Sequence, residues 1–233
     1  MLFITPWYPH RYDAMSGLFV RKHAQAVARQ GVEVSVLCRI VTDRVVQDEI
    51  VEEEVEEVKE IVLYTKKNGF VAELQGFKQL WQYWHERYGM PDVVHLNVLT
   101  KQGLLAWWLN LKYSVPYVVM EHWSGYLPEN GDYRGVLRKR MSEMILQKAK
   151  AVMPVSVRLM NAMKQCGLEH NNWQVLPNVI DDFFFETRDT RHETRDTRQF
   201  RFLHVSCFDN RAKNTLGIVE AVERLSRQRN DFE

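Results

Sequence analysis

The sequence predicts an α/β protein in which a Rossmann-like, doubly wound parallel sheet is followed by the truncated start of a second α/β domain. Two observations predict it. Residues 2–5 are a short apolar run, Val20, Ala24, Val27 and Ala28 fall at helical spacing, and Val32, Val34 and Val36 alternate with Glu33 and Ser35, which together make a β-α-β unit. Strand-like and helix-like stretches then alternate as far as Leu176. A chain of 233 residues with 45% hydrophobic content can bury one substantial core.

The elements follow in order. After the strand at residues 2–5, a loop with two prolines leads to Ser16-Gly17, where the first helix opens, and Gly31 is placed to end it. The acidic run DEIVEEEVEEVKEIVLYTKK reads as a solvated edge segment that becomes strand-like at residues 61–65. Helical spacing returns at Leu74, Phe77, Leu80, Trp81 and Trp84 and stops near Gly89 and Pro91. Strands at 93–96, 117–120 and 151–155 then alternate with helices at 101–111 and 135–150, and with a third helix that carries Leu159 and Met163. The apolar pair Val175-Leu176 precedes Pro177. A sheet of this kind keeps its ligand crevice at the carboxyl ends of its strands.

Past residue 182 the composition changes. ETRDTRH at 186–192 is followed by ETRDTRQ at 193–199, with no apolar residue to bury. The expected organisation is a Rossmann-like domain over 1–182, a polar repeat linker over 183–199, and the start of a second domain over 200–233. In that last part Phe200, Phe202, Leu203 and Val205 read as a strand, and Leu216, Ile218, Val219, Ala221, Val222 and Leu225 as the buried side of a helix. So short a piece cannot form a domain alone, and self-association through its strand is one expected outcome.

Composition narrows the function. The 31 Lys and Arg against 30 Asp and Glu give a net charge of +1, which argues for no nucleic-acid partner. The three cysteines, Cys38, Cys166 and Cys207, are far apart and form no CxxC pair, which disfavours disulfides and zinc and fits a reducing cytoplasm. The amino terminus has no basic segment and too short an apolar run for a secretion signal, and Asn110 and Lys112 interrupt the longest apolar neighbourhood. Neither GxGxxG nor GxxxxGK[ST] occurs, so dinucleotide enzymes and nucleotide hydrolases lose their main support.

Three segments carry candidate chemistry. In ITPWYPHRYDAMSGLFVRKHAQAV, Ser16-Gly17 at a helix start faces the crevice with free amides, suited to a phosphate or a sugar hydroxyl; alternatively Ser16 is only a cap and Gly17 serves close packing. In VVMEHWSGYLPENG an apolar strand ends in Glu121, His122 and Trp123, which sets an imidazole beside a carboxylate, with Trp123 and Tyr126 available to stack on a sugar. In VLPNVIDDFF, Pro177-Asn178 read alone as a turn.

Taken in this order, the motifs resemble the retaining GT-B glycosyltransferases of the large family four: ITPWYP, SG, HA and an EV-VL strand, then a strand ending in histidine, then PVS and VLPN-ID-F. RFLHVSCFDNRAKNTLGIVEAVERL is similar to the first strand and helix of that family's donor-binding domain. The resemblance covers nearly the whole chain and weakens in the acidic run and the repeat. It implies that residues 1–182 are the acceptor-side domain and that Ser16-Gly17 correspond to the first loop, which approaches donor phosphates and acceptor. His122 corresponds to the cleft histidine that contacts the transferred sugar or acceptor, with Glu121, Trp123 and Asn178 beside it as substrate-binding residues. Arg211 and Lys213 correspond to the basic pair that neutralises the donor diphosphate, whose negative charge grows as the glycosidic bond breaks. The implied scheme uses no metal and no cofactor. Its partners are a nucleotide-sugar donor and a carbohydrate or lipid-linked acceptor in polysaccharide or cell-envelope glycan synthesis. Because the family's glutamate pair would lie beyond Glu233, this chain is expected to be inactive alone. The rival reading is a non-catalytic carbohydrate- or partner-binding module that reuses half of the fold.

Arg134, Arg138, Lys139 and Arg140 share a helix with Val136, Leu137, Met141, Met144 and Ile145. The leading reading is a solvated basic face over a buried apolar one. The second is peripheral contact with an anionic membrane at its inner face.

Overall fold

The structure, a computed structural model, describes residues 1–185, 200–206 and 210–232. It divides into two compact units, Met1–Asp181 and Asp182–Glu233.

The first unit runs β1 (Leu2–Thr5), α1 (Leu18–Ala28), β2 (Val34–Val41), β3 (Glu49–Val55), β4 (Val58–Thr65), α2 (Phe70–Tyr88), β5 (Val94–Asn97), α3 (Gly103–Tyr113), β6 (Tyr117–Glu121), α4 (Val136–Lys148), β7 (Val152–Pro154) and α5 (Val157–Gln165). These seven strands make one sheet in the order β3-β4-β2-β1-β5-β6-β7, parallel except for the antiparallel β3-β4 pair. The architecture is the α/β doubly wound sheet that the alternating pattern predicts.

Helices cover both faces. Phe3, Val36 and Cys38 point to the side packed by Val20 and Ala24 of α1. Leu2, Ile4 and Leu37 point to the other side, packed by Phe77, Trp81, Leu109 and Ile145 of α2, α3 and α4. This corrects one detail of the sequence reading. The strand read from residue 32 starts at Val34 and runs to Val41, and it buries Ser35 as well, because helices cover both faces of the sheet.

The acidic run forms the edge strand β3, joined to β4 by the two-residue turn Glu56-Glu57. Both turn residues have left-handed backbone, with φ of 47° and 65°. Such hairpin turns favour glycine, because a Cβ is strained there. Glu57→Gly is therefore expected to raise stability by about 1 kcal/mol in urea denaturation, and an unchanged midpoint counts against strain at this turn.

In the second unit, α6 (Asn210–Lys213) and α7 (Thr215–Ser226) form helices where sequence spacing places one. The strand expected from residue 200 does not form: Phe200 makes one isolated bridge with Phe232, and residues 201–205 join no ladder among the described residues. Leu203 is 90% exposed and α7 buries none of its residues. β-propensity alone does not make a strand, which needs partners to satisfy its backbone. Self-association through that strand thus has no strand to build on among the described residues. The expected polar linker lies, from residue 186 onward, outside the described residues. Among those described, no helix is long and apolar enough to cross a membrane.

Candidate active site at the carboxyl ends of the strands

The strand order reverses between β1 and β5: β2 follows β1 on one side, while β5 pairs with β1 on the other. Loops leaving such neighbours diverge and open a crevice. The loop after β1, Asn97 ending β5 and the residues after β6 meet there.

The β1-α1 loop folds tightly on itself. Thr5 Oγ1 donates to the Trp7 carbonyl at 2.8 Å and accepts from the Trp7 amide at 3.2 Å. Tyr8 is fully buried, and its hydroxyl donates to Glu60 of β4 at 2.8 Å. Arg21 of α1 pairs with the same carboxylate at 2.6 Å. Burial pushes the Glu60 carboxyl above its ordinary range, and the bonds from Arg21 and Tyr8 pull it back. Gly17 closes the loop with φ of 58°, and a Cβ there would lie 2.2 Å from the Trp7 carbonyl oxygen. Close packing is therefore what requires this glycine. Ser16 gives α1 no side-chain cap; its amide and that of Met15 donate to Asp13 Oδ1 at 3.1 and 2.9 Å.

His122 occupies the crevice. Its Nε2 lies 3.3 Å from Asn97 Oδ1, so the proton belongs on Nε2. The Asn97 amide nitrogen lies 3.1 Å from His95 Nδ1, which continues the relay inward. Phe19, in the first turn of α1, packs on His122 at 4.4 Å between ring centres, and His23 stands 5.8 Å away. His23 Nε2 is 3.4 Å from Asn178 Oδ1. His122 Nδ1 is buried with no partner at hydrogen-bonding distance among the described residues.

Burial first, and then the neighbouring His23, push His122 down to about 3, opposed by the Asn178 side chain; burial, then His23 and His122, do the same to His95. Burial also lowers His23, opposed by Asn178. All three imidazoles are therefore neutral near pH 7, and His122 presents hydrogen-bonding groups rather than a positive charge. Among the described residues no group of three or more His, Cys, Asp or Glu is arranged to hold a metal ion.

The lowered values imply a pH dependence with a definite sign. Between about pH 6.5 and 3 the unfolded chain binds protons that folded His95 refuses, so this contribution is full above about pH 6.5 and is lost as pH falls. Glu60 and Glu121, raised in the fold, act with the opposite sign. His95→Phe, which keeps the stack on Phe3, is expected to shrink the stability lost between about pH 7 and pH 5 by about 2 kcal/mol relative to wild type. Parallel losses in both proteins, measured by urea titration, contradict a buried neutral His95.

One predicted substrate contact requires correction. Glu121 is wholly buried and its oxygens are filled: Oε1 accepts from the His122 and Trp123 amides at 2.9 and 2.8 Å, and Oε2 from the Leu99 amide and Tyr126 hydroxyl at 2.9 and 3.1 Å. It binds the loops after β5 and β6 to each other and leaves no oxygen for a sugar. Burial pushes its carboxyl up, and those four bonds oppose the shift. Trp123 packs against Gly125, where a Cβ would come within 2.1 Å of the indole, and carries the Arg138 guanidinium 4.2 Å from its ring centre. That contact also divides the basic cluster of α4: Arg138 turns onto aromatics, Lys139 pairs with Glu143 at 3.9 Å, and Val136 and Leu137 stay exposed.

Asn178 lies beside His23 at the crevice, and Arg211 and Lys213 both fall on α6 of the second unit. The sequence reading did not single out Phe19, His23, His95 or Asn97. A polar Asn97 closing an apolar strand was the available signal, the same one that pointed to His122.

A doubly wound sheet with such a crevice defines the Rossmann-like class of α/β domains. Residues 17–182 match the profile of Glycosyltransferase Family 4, and the chain belongs to that family. Among solved structures, sucrose-phosphate synthase from Thermosynechococcus elongatus is similar at 17% identity and a TM-score of 0.58, over 76% of this chain and 47% of its own. Anabaena HepE, solved in complex with UDP and glucose, is similar at 15% identity and a TM-score of 0.57, over 96% and 57%. A protein described as a UDP-N-acetylglucosamine 2-epimerase from Listeria monocytogenes is similar at 14% and 0.55, over 100% and 60%. The chain thus spans about half the length of the first of these, and at such identities the likeness concerns the fold. No curated protein matches the chain.

Proposed function

We infer that the chain supplies the acceptor-side half of a retaining glycosyltransferase that moves a sugar from a nucleotide-sugar to a carbohydrate or lipid-linked acceptor, in polysaccharide or cell-envelope glycan synthesis at the cytoplasmic side. The observation that carries this reading is His122: neutral, oriented by Asn97, walled by Phe19, and with an unfilled Nδ1 acceptor at the switch point. That lone pair suits a sugar hydroxyl, and Asn178 adds a second polar group beside it. The amino-terminal end of α1, without a side-chain cap, suits the donor phosphates. HepE, whose structure holds UDP and glucose, supports a donor of that kind.

On this reading residues 1–182 are the acceptor-side domain, 183–199 a linker, and 200–233 the opening of the donor-binding domain. Arg211 and Lys213 would stabilise the departing diphosphate, a role that calls for no resident cofactor or metal. Exposed Val136 and Leu137 beside Arg134 and Arg140 would meet a membrane that carries a lipid-linked acceptor. On this reading the chain alone would be inactive.

The test is calorimetric titration with UDP-glucose and GDP-mannose of this chain and of a version extended through a complete donor-binding domain. Binding by the extended chain only, with sugar transfer in the same protein, is the expected result. Absence of binding by both would favour a non-catalytic carbohydrate- or partner-binding module.

A further inference from the structure

The helix α3 is apolar almost all round, yet buries only Gly103, Ala106 and Leu109. Helices of that composition are normally enclosed. Its open side faces α2 across a groove of about 670 Å³, within the range of small-ligand sites. Phe77 and Trp81 contribute one wall, Leu104, Leu105 and Trp108 the other, and none of the crevice residues described above lines it.

The charged groups around this groove are mostly of one sign. Lys78, Lys101 and Lys112 line it against a single acid, Glu86. The Lys112 ammonium rests 5.0 Å from the Trp108 ring centre and 4.8 Å from that of Tyr113, which holds its charge at the apolar wall. Gln102 also lines the groove and is 1% exposed. Its Oε1 accepts from the Thr100 hydroxyl, while its Nε2 has no partner among the described residues. A buried amide donor left unmet is unfavourable and calls for an acceptor atom.

We propose that the groove between α2 and α3 is a binding site for a single amphiphilic anion, a phosphate or carboxylate head carried on an apolar chain or ring. The aromatic walls take the apolar body, the lysines the charge, and Gln102 Nε2 donates to an oxygen of the ligand. A neutral amphiphile leaves the lysines unpaired, and a bare anion leaves Trp108 uncovered.

The probe is octyl phosphate below its critical micelle concentration, added to the full chain and followed by tryptophan fluorescence and calorimetry. Saturable one-site binding is expected, weakened at least tenfold in the surface double variant Lys78→Glu/Lys112→Glu and at least threefold by Gln102→Met, with far-UV circular dichroism unchanged in the double variant. Octyl glucoside and inorganic phosphate at the same concentration are expected not to compete. Equal binding of octyl glucoside, indifference to the lysine reversals, or binding only to phosphatidylglycerol vesicles and not to octyl phosphate would each overturn the proposal.

Discussion

Gly17→Ala is expected to lower the stability of the chain by about 3 kcal/mol. Two independent terms contribute. At φ of 58° a non-glycine residue is strained by about 1–2 kcal/mol. The added methyl would also sit 2.2 Å from the Trp7 carbonyl oxygen and 2.6 Å from the Tyr8 amide nitrogen, both backbone atoms that no rotamer change can move. Overpacking of this kind typically costs about 1–3 kcal/mol. The loop has little freedom to yield, because Tyr8 is anchored to Glu60 and Arg21 closes over the same carboxylate. Ser16→Ala is the control, expected to stay within about 0.5 kcal/mol of wild type because the Ser16 side chain caps nothing. Urea denaturation read by tryptophan fluorescence separates the two; a loss below about 1 kcal/mol for Gly17→Ala would mean that the loop opens easily and its tight return is not a structural requirement.

The alternation of elements was legible because strands in a parallel sheet are buried on both faces and read as apolar runs, as at Leu2 to Thr5 and Val94 to Leu96. Helix periodicity located α2 and α3 equally well, but said nothing of the groove between them, since Trp81 and Trp108 come to line one groove only through the fold. Residues 200–205 mislead for a related reason: Phe202 and Val205 have strand propensity, and propensity cannot supply the neighbouring strand. Around the site, sequence proximity brought Glu121 and His122 together as one constellation. A strand sends successive side chains to opposite faces, and at the end of β6 that geometry separates them, with Glu121 turned into the core and His122 into the crevice. Four donors from two loops converge on Glu121 from positions that no local pattern reveals.

That separation makes a pair of substitutions diagnostic. Glu121→Ala leaves three backbone amides and the Tyr126 hydroxyl without their acceptor in a site closed to water, and is expected to cost about 3–5 kcal/mol. Glu121→Gln keeps the volume and one oxygen, and is expected to fall between alanine and wild type. His122→Ala removes a partly buried ring held by one bond of 3.3 Å and a nitrogen without a partner, so it is expected to cost about 1 kcal/mol or less. Its effect belongs to function: in the chain extended through a donor-binding domain, sugar transfer is expected to fall about 100-fold, the scale of losing one positioned polar group at a reacting centre. Denaturation and transfer assays on the same proteins decide between the roles. If His122→Ala keeps full transfer, the crevice histidine is not at the reacting centre; if Glu121→Ala folds as stably as wild type while losing transfer, the carboxylate contacts substrate after all. With stability lost at one residue and transfer at its neighbour, Glu121 at the end of β6 would hold the crevice and His122, the next residue, would work in it.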